Sequence, residues 1–346
     1  MRTISILCVG CAMLSSAVLA GEPEVWLCPP GNRVLDLVKE EGTWDFSRRR
    51  IAGLKLYIGL FRKAKRADLA ALAAFVRKNG LEVVVECGGT LNPDWQDETG
   101  ERSAKVELAG FNKWYAAGGK VDYLDLDGPV RRLLGRAGWG KDPEKRFVSY
   151  ERCARELMEY MAAVKKAHPK IQFFLLTNFP NWGYRGDVSY HARGPKRQDW
   201  GDYDEVVTAV LEAARKSQTK IAGATVDNPY EYLLGTHRSV KLKPPSAIDW
   251  LARVRAYEDF CRENGLEFNL IINSEAGGKA SDRLFFEKTL DMVSRYRKAG
   301  GKPDRYFIQS WYKHPTKIVP ESEPYSMTSL AKAILTQVGE GKPAAE

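Results

Sequence analysis

Histidine and cysteine are scarce in this sequence, and their scarcity excludes several kinds of metal site. Of the 346 residues, 4 are His and 6 are Cys. The histidines form neither an HExxH motif nor another metal-ligand spacing. Cys8 and Cys11 fall within the first 20 residues, and the other four cysteines show no CxxC pair. We therefore predict no Cys/His metal site and four buried free thiols.

Other motifs that bind phosphate, calcium or an acyl group are also missing. There is no GxSxG sequence, which excludes the usual serine hydrolase elbow. Residues 135–141 fit GxxxxGK, but Asp142 replaces the required Ser or Thr and no strand directly precedes the segment. No EF-hand-like calcium loop is present. We predict that the protein uses no metal ion or cofactor.

The sequence has no apolar run long enough to span a membrane, and the short one at the N-terminus has another interpretation. Residues 1–20 combine Arg2, a short apolar stretch and the small residues Ala17 and Ala20, as secretory signal peptides do. A lipid anchor at Cys11 is a weaker interpretation because its surroundings make a poor lipobox. No later segment has the length of a membrane helix. We expect cleavage after Ala20, a secreted or periplasmic protein, and no membrane span.

The chain carries an excess of positive charge, which has two interpretations. It has 53 Lys and Arg against 44 Asp and Glu, a formal charge of +9. Much of this charge lies on predicted helices, which favours a solvated exterior, although it would also attract anionic polysaccharides. No zinc-finger spacing, basic arm or RNP-like strand is present, so we predict no nucleic-acid partner.

A repeated junction indicates the fold. Six times, a helix that ends in basic residues and a turn leads directly into an apolar strand, as in RKNGLEVVVE and RENGLEFNLIINSE. Alternation of this kind predicts βαβ units and a parallel sheet. Short turns lead into the strands, and long connections rich in Trp, Arg and Asp leave them. This asymmetry predicts an α/β (β/α)8 TIM barrel with its active site at the C-terminal ends of the strands.

The repeats divide the chain into eight strand–helix pairs within one domain. We predict a barrel over residues 21–338, after the signal peptide 1–20, and a disordered tail over 339–346. The predicted strands are 24–28, 54–60, 81–86, 121–127, 171–177, 221–227, 266–273 and 305–310.

Acidic residues close several of these strands. In the fourth strand, Asp125 and Asp127 alternate with leucines, which suit the helix-facing side, so the two acids should point inward. The same alternation turns acids of three other strands towards the opening. The carboxylates expected there are Glu86, Asp125, Asp127, Asp227 and Glu275.

A cluster of carboxylates is costly, because like charges raise the pKa of at least one member. Glycosidic cleavage needs such a pair, one protonated acid and one carboxylate that acts as nucleophile or base. The alternative is that individual acids accept hydrogen bonds from Arg62, Lys63 or Arg131 and hold loops together.

The segment Asp122-Tyr123-Leu124-Asp125-Leu126-Asp127 resembles the fourth-strand motif Asp-Tyr-Leu-x-x-Asp of retaining α-galactosidase-type glycosidases. That resemblance implies that Asp127 is the nucleophile and Asp227 the acid/base. The segment is also similar to the chitinase pattern Asp-x-x-Asp-x-Asp-x-Glu, but Pro129 stands at the position of the catalytic Glu. The match covers six residues and implies the TIM-barrel glycoside hydrolase superfamily, without assigning one family.

Aromatic residues in the strand-to-helix connections fit sugar binding, because a ring can stack on a pyranose while its polar edge donates a hydrogen bond. Five tryptophans fall there: Trp95, Trp139, Trp182, Trp200 and Trp311. Trp182 and Trp311 lie closest to the strand ends, so we select these two. The predicted substrate-binding residues are Glu86, Asp125, Asn178, Trp182, Asn273, Gln309, Trp311 and Tyr312.

The leading hypothesis is a secreted glycoside hydrolase that acts on an oligo- or polysaccharide, neutral or anionic. Asp127 and Asp227 would be the catalytic pair, with Glu275 as a reserve catalyst. Two alternatives stay open. One is a carbohydrate-binding protein without turnover, since fold does not fix function. The other is a metal-dependent isomerase or lyase that uses the same acids.

Overall fold

Eight parallel strands close into one barrel in the computed structural model, each strand pairing with the next and β8 with β1. The structure describes residues 21–91, 98–139, 149–189, 200–237 and 247–339, and for 135–139 the backbone alone. The predicted single-domain (β/α)8 TIM barrel is confirmed. The strands are β1 Glu24–Cys28, β2 Gly53–Tyr57, β3 Glu82–Cys87, β4 Tyr123–Asp127, β5 Gln172–Asn178, β6 Gly223–Asp227, β7 Glu267–Ile272 and β8 Arg305–Gln309.

Helices alternate with the strands and surround the barrel. Serine side chains cap three of them: Oγ of Ser149, Ser274 and Ser281 each accepts a hydrogen bond from a backbone N–H of the first turn. No described helix is long and apolar enough to cross a membrane. The helices are α1 Val34–Lys39, α2 Asp45–Arg48, α3 Ile58–Lys63, α4 Arg66–Lys78, α5 Thr99–Ala116, α6 Pro129–Trp139, α7 Tyr150–Ala167, α8 Tyr203–Lys216, α9 Tyr230–Leu233, α10 Trp250–Glu263, α11 Glu275–Ala280, α12 Asp282–Lys298 and α13 Met327–Gly339.

Two apolar cores hold the barrel together. The larger lies between strands and helices, and the smaller fills the interior with Trp26, Tyr123, Phe174, Phe307 and their apolar neighbours. Gly53 makes room for the interior core, because a Cβ there would lie 2.3 Å from the Trp26 ring. The middle of the interior is therefore packed with apolar side chains. Polar groups lie at both ends: Arg305 pairs with Glu24 and Glu267 at the strand starts, and carboxylates lie near the C-terminal strand ends.

The predicted facing of β4 is confirmed. Leu124 and Leu126 belong to the outer core, whereas Tyr123 belongs to the interior core. Because side chains alternate along a strand, Asp125 and Asp127 share the inward face of Tyr123.

Three short helices lie where the sequence predicted longer strands or loops. β2 ends at Tyr57 and the chain turns directly into α3, which buries Leu60 and Phe61. The loops after β6 and β7 contain α9 and α11. Glu275 is therefore the first residue of a helix and does not extend β7.

The four described cysteines, Cys28, Cys87, Cys153 and Cys261, are free and buried, as predicted.

Candidate active site

Three of the predicted carboxylates meet at the C-terminal opening of the barrel. Glu86, Asp127 and Asp227 come from β3, β4 and β6 and line one cavity of about 380 Å³, which we call the first cavity. Residues distant in sequence are therefore neighbours, as the strand alternation predicted. The other lining residues are Arg131, Leu176, Asn178, Asn181, Tyr232 and Trp311.

Asp227 presents a carboxyl group that is partly withdrawn from water in this cavity. Asn178 Nδ2 donates a hydrogen bond to its Oδ2 at 3.0 Å, and Asn181 Nδ2 in turn donates to Asn178 Oδ1 at 2.6 Å. Asp227 Oδ1 is buried and has no hydrogen-bond partner among the described residues. Burial raises the pKa of Asp227 to about 7, opposed by the Asn178 bond and reinforced by the charges of Glu86 and Asp127. This carboxyl can hold a proton near neutral pH.

Asp127 lies in the opposite environment, against a cation. Arg132 Nη2 is 2.5 Å from Asp127 Oδ2, and Arg132 Nε donates to the Asp127 backbone oxygen at 2.8 Å. About a third of the Asp127 side chain is exposed to the cavity and solvent. The guanidinium therefore both orients Asp127 and pairs with its negative charge.

A buried lysine lies beneath the cavity. Lys55 Nζ is 2.7 Å from Asp125 Oδ2 and 2.9 Å from Glu86 Oε2, and the Lys55 and Asp125 side chains are fully buried. Burial alone would lower the pKa of Lys55, but the two carboxylates outweigh it and raise this pKa. Lys55 therefore stays charged and ties β2 to β3 and β4.

Glu86 is fixed from two sides. Besides Lys55, Gln309 Nε2 donates to Glu86 Oε2 at 2.8 Å and contacts the Tyr57 hydroxyl at 3.0 Å. Burial raises the pKa of Glu86, the charge of Lys55 opposes that rise, and the charge of Asp127 adds to it. Lys55 and Gln309 therefore fix the Glu86 carboxyl group between the barrel interior and the cavity.

Glu275, predicted as a reserve catalyst, is bound outside the first cavity. Its carboxylate lies 2.5 Å from Lys279 Nζ and 3.5 Å from His237 Nε2. Although burial works in the opposite direction, these neighbours hold the pKa of Glu275 below its ordinary value. Glu275 is not among the residues that line the cavity.

In the described ranges, no three or more His, Cys, Asp or Glu side chains are grouped so that they could hold a metal ion.

Some of the predicted binding residues lie in place. Asn178 and Trp311 line the cavity, and Trp311 is 41% exposed. Tyr312 follows it, packs over Gly278 and is half-buried. Trp95 and the side chain of Trp139 lie outside the described part of the chain.

Four other binding predictions require correction. Trp182 is 1% exposed and packs 5.3 Å from the Tyr203 ring, because the turn after β5 folds it back towards α8. Its ring cannot stack on a sugar. Asp125, Asn273 and Gln309 are fully buried and do not line the cavity, so direct contact with a substrate is wrong for them as well. Asp125 and Gln309 instead support Lys55 and Glu86 from below.

The sequence interpretation missed the cations that organise the site. Lys55 and Arg132 were not selected, although each contacts a selected carboxylate. The signal for Lys55 was present: alternation in β2 places Gly53, Lys55 and Tyr57 on one face. A lysine in the middle of an inward strand face needs a buried carboxylate partner. Arg132 gave no comparable signal, because it lies in a connection among several other arginines.

The two selected tryptophans give a test of their different environments. We expect Trp182→Ala to lower the free energy of unfolding by about 3–5 kcal/mol, because it leaves a large hole in a packed aromatic cluster. Trp311→Ala should change it by no more than about 0.5 kcal/mol. Urea unfolding of both variants measures the difference. Equal losses would contradict the two environments described.

Comparison with known proteins supports the fold and leaves the chemistry open. The catalytic domain of β-amylase from Paenibacillus polymyxa aligns over 94% of this chain and 100% of its own, with TM-score 0.52 and 9% identity. GH5_18 from Streptomyces cattleya, in complex with GlcNAc, aligns over 94% and 83%, with TM-score 0.52 and 13% identity. A xylose isomerase domain protein from Alicyclobacillus acidocaldarius is also similar over 92% and 97%, with TM-score 0.48 and 14% identity.

No protein-family model matches the sequence, and no curated protein is significantly similar to it. At such low identities the structural likeness shows the fold alone. The chain is a TIM-barrel protein, similar in fold to the β-amylase catalytic domain and to GH5_18.

Proposed function

We propose that this protein is a glycoside hydrolase that uses Asp127 and Asp227 as its catalytic pair. One observation carries the proposal: the two carboxyl groups line the same cavity in opposite environments. Asp227 is buried against an amide with its pKa raised to about 7, whereas Asp127 is paired with Arg132. A protonated acid beside an ionised carboxylate is the combination that glycosidic cleavage requires.

The chemistry follows from these two environments. Asp227 donates its proton to the glycosidic oxygen while the bond from that oxygen to the anomeric carbon breaks. Asp127 attacks the anomeric carbon and forms a glycosyl ester, the course that the strand-four motif implies. Asp227, now ionised, then takes a proton from water, whose oxygen displaces Asp127 and releases the sugar. Both carboxyl groups return to their starting states.

Other residues of the first cavity would hold the substrate. Trp311 offers an exposed ring face for a sugar, and Asn178 orients the Asp227 carboxyl group. Glu86 lies beside both catalytic residues and can accept a hydrogen bond from a sugar hydroxyl. Its negative charge also favours the protonated form of Asp227. Lys55 is too deeply buried to touch a substrate and acts by holding Glu86.

A screen of neutral, uronic and sulfated glycans tests this function. We expect the wild-type protein to release reducing ends from at least one class, and Asp127→Asn to lower that release to background. Glu212→Gln, an exposed acid on α8, is the matched control and should leave the rate unchanged.

Three outcomes of the screen would contradict the proposal. Glycan binding without any release would indicate a binding protein. Release that survives Asp127→Asn would remove Asp127 from the pair. Activity that is lost in EDTA and restored by a divalent ion would favour a metal-dependent barrel enzyme.

We also propose that the protein is exported, on the signal-like composition of residues 1–20. Recovery of a chain that begins at Gly21 from the periplasm or medium would support this, and an uncleaved cytoplasmic chain would contradict it.

A further inference from the structure

A second cavity, of about 300 Å³, lies on the other side of Glu86 and Asp127. These two carboxylates line both cavities, whereas Asp227 lines the first and not the second. Tyr57, Arg132 and residues of α3 and of the segment after β3 form the rest of the second cavity. Each cavity falls near or within the size range of small-molecule sites. Glu86 and Asp127 therefore lie between two adjoining cavities.

The wall of the second cavity is firmly built. Glu107, which is fully buried, accepts a hydrogen bond from Gly88 N at 2.8 Å and another from the Tyr160 hydroxyl at 2.6 Å. These bonds fix the backbone directly after β3, beside Glu86. The wall is thus fixed to the strand that carries Glu86 and does not depend on a loose loop.

The lining of the second cavity has the mixture of groups that sugars require. Ile58 and Leu91 provide apolar surface, and the Tyr57 hydroxyl lies at its edge with Gln309. The exposed Arg62 side chain makes no hydrogen bond to any described residue. Its five N–H donors are therefore available to hydroxyl or acidic groups of a glycan.

We propose that the second cavity binds the sugar unit next to the one attacked, on the non-reducing side of the cleaved bond. This inference rests on the proposed function and assigns a direction to the substrate. Asp227 must protonate the leaving oxygen, so the leaving sugar lies in the first cavity. The sugar attacked by Asp127 lies between the cavities, and the next unit extends into the second. The preferred substrate is therefore an oligosaccharide of three or more units.

Gly59 lies at the wall between the second cavity and another cavity of about 630 Å³, so it is a position at which bulk can be added beside the second cavity. Gly59 lies in α3, and a Cβ added there would meet no atom within 4 Å. A side chain at this position also favours the helix over glycine by up to about 1 kcal/mol. We therefore compare Gly59→Trp, which adds a large ring beside this cavity, with Glu212→Trp, which adds the same ring on the exposed side of α8. Arg62→Ala provides a second variant that removes donors without adding bulk.

The measurement is kcat/KM for a trisaccharide or longer substrate against an aryl glycoside of one sugar. We expect Gly59→Trp to lower the first about tenfold or more, equivalent to about 1.4 kcal/mol of binding to the transition state, and to leave the second unchanged. Arg62→Ala should act in the same direction, and Glu212→Trp should match the wild type. Thermal unfolding confirms that each variant is folded.

The outcomes separate this inference from the proposed function. If the wild type cleaves both substrates and neither Gly59→Trp nor Arg62→Ala changes their ratio, the subsite is overturned and the hydrolase function stands. If no glycan is cleaved, the proposed function fails, and calorimetric titration of the same oligosaccharides decides the subsite. Weaker binding to Gly59→Trp than to the wild type would support it, and equal or absent binding would overturn it.

Discussion

Replacing Asp227 by Asn should lower glycan hydrolysis by about 10²–10⁴-fold, the usual contribution of a general acid. The wild-type rate should fall as the pH rises through about 7, because burial raises the pKa of Asp227 to that value and only its protonated form can donate. The Asn side chain does not titrate, so the residual activity of the variant should lack this alkaline limb.

The measurement is kcat/KM against pH for both proteins. An aryl glycoside with a good leaving group provides an internal control, because its departing oxygen needs little protonation and should suffer a smaller loss. A wild-type profile that stays flat from pH 5 to 9, or an alkaline limb that survives in Asp227→Asn, would assign the acid to another group.

Replacing Lys55 by Met should lower the free energy of unfolding by about 3–5 kcal/mol, because the variant leaves two buried carboxyl groups without their cation. Lys55 Nζ lies within 2.9 Å of both Glu86 and Asp125, and no part of its side chain reaches solvent. The loss should shrink at low pH, because burial raises the pKa of Glu86, and once protonated it no longer needs a cation.

Two further variants control this experiment. Lys39→Met, at an exposed lysine on α1, should change the stability by no more than about 0.5 kcal/mol. The double variant Lys55→Met/Asp125→Leu should be more stable than Lys55→Met alone, because it removes the stranded charge together with the cation. Urea unfolding at pH 7 measures all three. A loss at Lys55→Met no greater than that at Lys39→Met would contradict the role of the buried lysine.

The barrel and the meeting of carboxylates could be predicted because both depend on local patterns. Repeated helix-to-strand junctions specify a parallel barrel, and a period of two along a strand specifies which side chains point inward. Asp127 and Asp227 each follow from one strand and its end. The closed order of β1 to β8 then places them at the same opening.

What failed depends on packing, which one sequence does not display. Trp182 resembled Trp311 in the sequence, yet a turn after β5 buries the first and leaves the second exposed. Glu275 continued the alternation of β7, but Ser274 caps a helix there and the chain leaves the strand. Arg132 and Arg131 are adjacent in sequence, and only the folded backbone shows that Arg132 binds Asp127.

Two groups of residues build this site: buried residues that position others, and residues that line the cavity. Asp125, Lys55 and Gln309 lie fully buried. Lys55 and Gln309 contact Glu86, and Asp125 contacts Lys55. Asp127, Asp227 and Trp311 line the cavity itself. Substitutions in the first group should therefore change stability as well as activity, whereas those in the second should change activity more than stability.

The pKa of Asp227 can be measured directly by carbon-13 NMR on protein labelled at the aspartate carboxyl groups, without knowledge of the substrate. Labelling aspartate alone keeps Glu86 and Glu107 out of the spectrum, and Asp227→Asn identifies the resonance by its disappearance. We predict that this carboxyl group titrates at about 7. Titration near the ordinary aspartate value of about 3.9 would contradict a protonated acid beside Asp127, and with it the proposed hydrolysis.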